Sequence, residues 1–268
     1  MMTMATYPHA GGVPAAYAPN PWETPPVSGT GNYFTNFLQR TDEKTLFKMA
    51  HYTGIYDRKL GDWMGKPVSF LEIGVYKGGS LRMWRDFFAP KSNLNFIDID
   101  PNCKALEIPG TSIRIGDQSD SAFLNDVATS AGPFDIIVDD GSHMCDHQIA
   151  SFQALWPFLK NGGIYIVEDV HSSYWPGFMG GHRAPGSFIE FTKNLIDCMH
   201  SWYTEDDAGF PLHPLARELG EISFHDSLVF IHKELKEPPI SIVSQNGQIS
   251  GSRKILEIRG RRSVFDRK

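Results

Sequence analysis

The stretch that decides the fold begins at Asp135-Ile136-Ile137-Val138-Asp139-Asp140-Gly141-Ser142-His143 and ends at Gly163-Ile164-Tyr165-Ile166-Val167-Glu168-Asp169. Each end is a β-branched run closed by acid, and such runs favour buried strands. Residues 145–159 between them read as a helix, so the unit is strand–helix–strand with the two strands as parallel neighbours. Both acidic ends then fall at the carboxyl edge of one sheet, where α/β proteins bind ligands. There Asp139 or Asp140 faces Glu168 and Asp169 across a small gap. Three carboxylates and His143 converge as a candidate divalent-metal and general-base site. An acid after a strand also serves to cap the next helix, and Asp-Gly-Ser suits a turn. Two acidic ends on adjacent strands, with a histidine beside them, weigh toward the site.

The same pattern extends outward in both directions. Residues 68–73 form the first expected strand, followed by Glu72-Ile73-Gly74-Val75-Tyr76-Lys77-Gly78-Gly79-Ser80 and a helix over 80–88. A strand, a glycine-rich turn and a helix let the backbone approach a ligand and offer free N–H groups at the helix start. The glycine spacing is not the G-x-G-x-x-G of a dinucleotide site. A second strand over 94–99 ends in Asp98-Ile99-Asp100-Pro101. Asp98 is expected to hold a ribose diol, while Asp100 caps the turn that Pro101 starts. A third strand over 112–115 ends in Gly116-Asp117-Gln118-Ser119-Asp120, whose polar side chains either meet an adenine edge or start the helix over 122–131. After Asp169 comes a glycine- and aromatic-rich loop in which Tyr174 and Trp175 are candidates to stack on a sugar, or to tuck into the core. A helix over 187–200, an irregular segment over 201–220 and two strands around His225-Asp226 complete the sheet with an antiparallel pair. The fold expected is a Rossmann-like, doubly wound α/β sheet of seven strands, mostly parallel, with an antiparallel last strand.

The flanks read differently. Residues 1–32 are rich in Pro, Gly and Ala and are expected to form a flexible arm. Residues 33–60 read as helices, with a restart at Thr41 as candidate cap and Leu46, Phe47, Met49, His51, Tyr52, Ile55 and Tyr56 behind it. The main domain is therefore placed at 33–232, and residues 233–268, with a basic end, at a tail or subunit contact. The formal net charge of -6 gives no general nucleic-acid footprint. Three widely spaced cysteines, Cys103, Cys145 and Cys198, suggest neither a disulfide framework nor a zinc knuckle and suit a reducing compartment. No run is long enough to span a bilayer, and residues 1–16 lack the pattern of a secretory signal, so a cytoplasmic location is expected.

Four features agree: the Glu72-x-Gly74 turn, Asp98 after strand two, Asp117-Gln118 after strand three, and the terminal antiparallel strand. Together they resemble the class I S-adenosylmethionine-dependent methyltransferases over roughly residues 41–232. More narrowly, Leu71-Glu72-Ile73-Gly74, Gly79-Ser80-Leu81-Arg82-Met83-Trp84, Gly116-Asp117-Gln118-Ser119-Asp120, the Asp135–His143 stretch, Glu168-Asp169 and Ser173-Tyr174-Trp175-Pro176-Gly177 resemble the metal-dependent sugar O-methyltransferases. That family includes the mycinamicin-type macrolide deoxysugar enzymes, actinobacterial enzymes acting on mannose polysaccharides or glycolipid rhamnose, and proteins labelled cephalosporin hydroxylase. The resemblance implies that Asp140, Glu168 and Asp169 are magnesium ligands and that His143 is the general base. It also implies that Glu72, Gly74, Ser80, Asp98, Asp117, Gln118 and Asp139 hold the cofactor, with the Thr41 region and Tyr56 closing over it. The cofactors implied are S-adenosylmethionine and Mg²⁺, with Mn²⁺ as a substitute, since hard oxygen ligands suit both. The acceptor implied is a sugar hydroxyl of a glycoside, oligosaccharide or glycolipid, and the assembly a dimer. The chain departs from the macrolide enzymes in a shorter glycine turn and in showing no counterpart of their long N-terminal domain.

Competing readings have discriminating features. A nicotinamide oxidoreductase needs the tighter glycine turn. A zinc hydrolase built on His143 and His147 needs a glutamate where Met144 stands. Methylation of a non-sugar natural-product hydroxyl, or a catalytically silent cofactor-binding subunit, shares the sheet; the intact Asp140, His143, Glu168 and Asp169 speak against loss of catalysis.

Overall fold

The computed structural model describes residues 32–40 and 45–254, with side chains described through residue 249. Thr41 and most of the expected arm and basic end lie outside the described residues. Seven strands form one sheet: β1 (Ser69–Ile73), β2 (Asn93–Asp98), β3 (Thr111–Ile115), β4 (Phe134–Asp139), β5 (Leu159–Val167), β6 (Leu219–His225) and β7 (Leu228–Lys233). Their spatial order is β3-β2-β1-β4-β5-β7-β6. The first five strands are mutually parallel, and β7 runs antiparallel between β5 and β6. The chain winds outward from β1 through β2 to β3, then returns to β4 on the other side of β1. The crevice at the carboxyl ends of β1 and β4 is therefore the switch point at which such sheets bind ligands.

Alternation along the central strands sorts side chains onto two faces. Phe70, Phe96, Ile136, Val138, Ile164, Ile166 and Phe230 share one cluster with helices α1 (Tyr33–Phe37), α2 (Ala50–Leu60) and α3 (Gly79–Phe87). Leu71, Ile73, Ile97, Ile137, Tyr165, Val167 and Val229 pack on the other face against α4 (Ser121–Ala131), α5 (Cys145–Leu155) and α6 (Phe188–His200). Both faces of these strands are covered, which explains their continuous apolar runs. The alternation also decides which acids go where. Val138 lies on the face of α2, so Asp139 turns to the α5 face and Asp140 returns to the α2 face. Ile166 sets Glu168 on that same face by the same rule.

Two local expectations are corrected, and the segment expected as a tail or subunit contact holds a pair of strands. Residues 45–49 form neither helix nor strand, and α2 begins only at Ala50; the helical apolar spacing belongs to Tyr52, Ile55 and Tyr56, not to the segment before them. The helix expected over 145–159 stops at Leu155, where Pro157 forces a short 3-10 turn (Trp156–Phe158), and β5 starts at Leu159. The expected tail contains a hairpin, Ile240–Gln245 with Gln248–Lys254. Asn246 and Gly247 join its strands, both with positive φ (53° and 76°), as a two-residue Asn-Gly turn requires. No helix among the described residues is long and apolar enough to cross a membrane.

Candidate active site

The glycine turn shapes a cleft of about 300 Å³ lined by Gly74, Asp98, Gly116, Asp117, Gln118 and Ser142, among others. Gly74 has φ +100°, and a Cβ there would lie 2.1 Å from the Asp140 carbonyl oxygen. Only glycine lets β1 and β4 close at this point. Gly74→Ala is expected to destabilise the fold by about 2 kcal/mol or more in urea unfolding, the scale of a strained backbone plus a displaced strand end; an unchanged midpoint would refute that close approach. Asp98 braces the turn: its Oδ2 accepts from Val75 N at 2.8 Å and Tyr76 N at 3.0 Å, and its Oδ1 from Asp100 N at 2.8 Å. Each carboxylate oxygen has two lone pairs, so Asp98 keeps acceptor capacity toward the cleft. Asp100 caps the turn at Pro101 by accepting from Asn102 N.

At the third strand end the roles divide. Asp120 caps α4 by accepting from Ala122 N and Phe123 N, while Asp117 faces the cleft. A bond from Ser119 N holds the Asp117 carboxyl below its usual range. Gln118 is buried, and both ends of its amide are engaged. Nε2 donates to Asp139 Oδ1 at 3.1 Å and to Ser151 Oγ, and Oε1 accepts from Ser142 N at 2.6 Å. Asp139 is fully buried beneath Gln118 and is absent from the cleft lining, so the structure places it under the cleft floor. Burial pushes its carboxyl up to about 6, against the opposing bond from Gln118.

The other acids meet on the α2 face. Glu72, fully buried, accepts from Ser80 Oγ at 2.6 Å and from Trp84 Nε1 at 2.9 Å. Asp140 and Glu168 lie side by side at the ends of β4 and β5, because Asp139 pairs with Val167 in register. Lys48 Nζ bridges them at 2.5 Å to Asp140 Oδ2 and 2.5 Å to Glu168 Oε1, and approaches Glu72 Oε1 at 3.9 Å. Two tyrosines one helical turn apart on α2 reach the same edge. Tyr56 Oη donates to Glu168 Oε1 at 2.5 Å, and Tyr52 Oη donates to Asp169 Oδ1 at 2.5 Å. Burial pushes the carboxyls of Glu72, Asp140 and Glu168 each up to about 7. Burial opposes the Lys48 charge, yet Asp140, Glu168 and Glu72 outweigh it and hold the ammonium above its ordinary value.

Asp169 and His143 both adopt left-handed backbone, with φ 54° and 58°. That turn of the chain sends their side chains back over the strand ends. His143 Nε2 stands 3.5 Å from Asp169 Oδ2. One ligand atom each from Asp140, His143 and Asp169 lies within 4.8 Å of the others. His143 Nδ1 is buried without a hydrogen-bond partner. Two carboxylates that converge beside one imidazole fit a divalent ion of the Mg²⁺ or Mn²⁺ type. Glu168 stands behind this group, held by Tyr56 and Lys48. Tyr174 and Trp175 are about half exposed; Trp175 meets the His171 ring at 4.6 Å, and Tyr174 borders a second cavity with Phe224.

Lys48 and Tyr52 do not stand out as site residues in the sequence. Lys48 sits in no motif, and its partners are 92 and 120 residues away. Tyr52 carries a usable signal, four residues before Tyr56 on one helix face.

The order of strands, the switch-point cleft and the acids at the strand ends define a class I methyltransferase fold. More narrowly, residues 71–170 match the family described as Methyltransferase domain. The chain is 37% identical over 190 residues to the 8-demethyl-8-alpha-L-rhamnosyl tetracenomycin-C 2'-O-methyltransferase of Streptomyces olivaceus, covering 68% of this chain and 50% of that protein. It is 37% identical over 193 residues to the mycinamicin VI 2''-O-methyltransferase of Micromonospora griseorubida, covering 68% and 48%. The solved MycE methyltransferase from the mycinamycin biosynthetic pathway, in complex with Mg, SAH and mycinamycin VI, superposes with TM-score 0.65 and 31% identity, covering 80% of this chain and 54% of that one. The chain spans about half the length of the curated relatives it matches.

Proposed function

We propose that this chain methylates a sugar hydroxyl of a glycoside or oligosaccharide, using S-adenosylmethionine and Mg²⁺, with Mn²⁺ as a substitute. The observation that supports this most is the meeting of Asp140, His143 and Asp169 beside the glycine-turn cleft. The named activities of the relatives point the same way. In this reading Gly74, Asp98 and Asp117 line the cofactor's cleft, Gln118 and Asp139 fix its floor, and Glu72 and Ser80 hold the start of α3. Asp140 and Asp169, joined by Glu168, hold the ion. When bound, the cofactor supplies an electrophilic methyl group on sulfur, and the ion a positive charge beside the acceptor oxygen. A sugar hydroxyl holds its proton at neutral pH, so transfer needs a base within reach. His143 takes that proton, and Asp169, 3.5 Å away, orients the ring and stabilises its charge. Tyr174 and Trp175 offer exposed rings for the sugar. A homodimer in the cytoplasm completes the proposal.

The test is calorimetric binding of S-adenosylmethionine to the purified chain, then methyl transfer to a panel of sugars and glycosides with Mg²⁺ or with EDTA. Binding, and transfer that EDTA abolishes, are expected. Failure to bind the cofactor overturns the proposal; transfer that persists in EDTA overturns its metal part.

A further inference from the structure

We infer that Lys48 is a tethered cation in the place of the divalent ion: ammonium and ion compete for Asp140 and Glu168, and ion binding expels Lys48 together with the strap over 45–49. The inference rests on the reading of Asp140 and Glu168 as ion ligands. The Lys48 side chain is only 4% exposed and touches one oxygen of each acid at 2.5 Å. A bound Mg²⁺ needs carboxylate oxygens at about 2.0–2.1 Å, and so draws on the same two carboxylates. An ammonium and a divalent ion on one pair of oxygens repel strongly in a buried setting. One of the two must leave.

The strap is built to be the one that moves. Residues 45–49 form no helix or strand, and Thr45, Phe47 and Met49 face solvent, with Phe47 75% exposed. Leu46 packs on the core edge, and Lys48 is its other inward leg. The strap also crosses the start of α3: a Cβ on Gly79 would lie 2.6 Å from the Thr45 carbonyl oxygen. Between strap, Gly74, Ser80 and Asp140 only a small cavity of about 40 Å³ is left. Lys48 therefore ties the ion site to the glycine turn, and its release widens the space above that turn. Lys48 thereby sets the affinity for the ion and makes access to the turn depend on it.

Two measurements on the full chain test this. The first is Mn²⁺ binding, read from the electron-paramagnetic-resonance signal of free ion, for wild type and Lys48→Met. The second is reductive methylation of lysines in wild type, read at Lys48 by mass spectrometry with and without Mn²⁺. Lys48→Met is expected to bind Mn²⁺ about tenfold tighter, because removing a competing state raises apparent affinity by the fraction freed. In wild type, Lys48 is expected to be protected without ion and reactive with it. Equal Mn²⁺ affinity in the two proteins, or a Lys48 still protected at saturating Mn²⁺, overturns the inference and leaves the ion site standing. Failure of both proteins to bind Mn²⁺ overturns the ion-ligand reading and this inference with it. If Lys48→Met does not fold, the wild-type methylation decides alone.

Discussion

His143→Ala is expected to leave S-adenosylmethionine binding intact and to cut methyl transfer by a factor of about 10²–10⁴, the usual contribution of a positioned acid–base group. Binding survives because His143 does not line the glycine-turn cleft; its neighbour Ser142 does. Transfer falls because the ring is the imidazole nearest the carboxylates, with Nε2 3.5 Å from Asp169 Oδ2. The backbone at His143 is left-handed, at φ 58°, and alanine tolerates that conformation less well than asparagine does. His143→Asn therefore serves as the control: it keeps the turn and removes the base, so both variants should lose turnover alike. Paired calorimetry and initial rates check this. Either variant turning over at the wild-type rate would place the base elsewhere. A large loss in alanine with little loss in asparagine would mean that His143 acts through the turn rather than as a base.

The parts of this arrangement legible in the sequence are those carried by local pattern. The runs Ile136-Ile137-Val138 and Ile164-Tyr165-Ile166-Val167 announce strands buried on both faces, and they place Asp140 and Glu168 at one sheet edge. The strand pattern alone leaves Asp139 and Asp140 undivided, because choosing between them needs the face on which α2 packs; only the family resemblance separates them. Packing settles it: Asp140 joins Glu168 and Lys48, while Asp139 turns under Gln118. The turn at 116–120 is likewise ambiguous in sequence; the helix-start reading holds at Asp120, and Asp117 lies at the cleft. Lys48 is illegible for a deeper reason. A lysine in a segment that reads as helix looks like any solvated lysine, even one between Phe47 and Met49. Its burial follows from tertiary approach to residues far along the chain. The hairpin at 240–254 has its signal, Asn246-Gly247 between alternating residues, but the apolar Ile240, Ile242 and Ile249 are exposed, so no core pattern reinforces it.

Mg²⁺ is expected to stabilise the chain against heat above neutral pH and hardly at all in mild acid, and Asp140→Asn is expected to abolish the effect. Glu72, Asp140 and Glu168 are each raised to about 7 in the folded chain by burial, while unfolded carboxyls titrate near about 4. Between those values the folded state binds more protons than the unfolded state, so stability without ion falls as pH rises from about 4 to about 7. The loss is complete above the folded value, where buried carboxylates face one another with Lys48 as their shared counter-charge. A divalent ion binds the deprotonated acids, so its contribution is present above about pH 7 and is lost as pH falls through that value. At a hundred times its dissociation constant an ion adds about 2.7 kcal/mol, which for a domain of this size is a rise in Tm of roughly 5–10 °C. Asp140→Asn replaces an anionic oxygen donor by a neutral amide, takes an anionic partner from Lys48, and also relieves the repulsion on Glu168. The variant should therefore fold without ion, show no Mg²⁺-dependent shift, and lose metal-stimulated methyl transfer. Thermal unfolding of both proteins with Mg²⁺ or EDTA, at about pH 5.5 and about pH 8, brackets the window on either side of the folded carboxyl values. The same Mg²⁺ shift in Asp140→Asn as in wild type would remove Asp140 from the ion's ligands. A shift that is larger at the acid end would have the opposite sign to the one these raised carboxyls require, and would mean that the ion binds groups other than them.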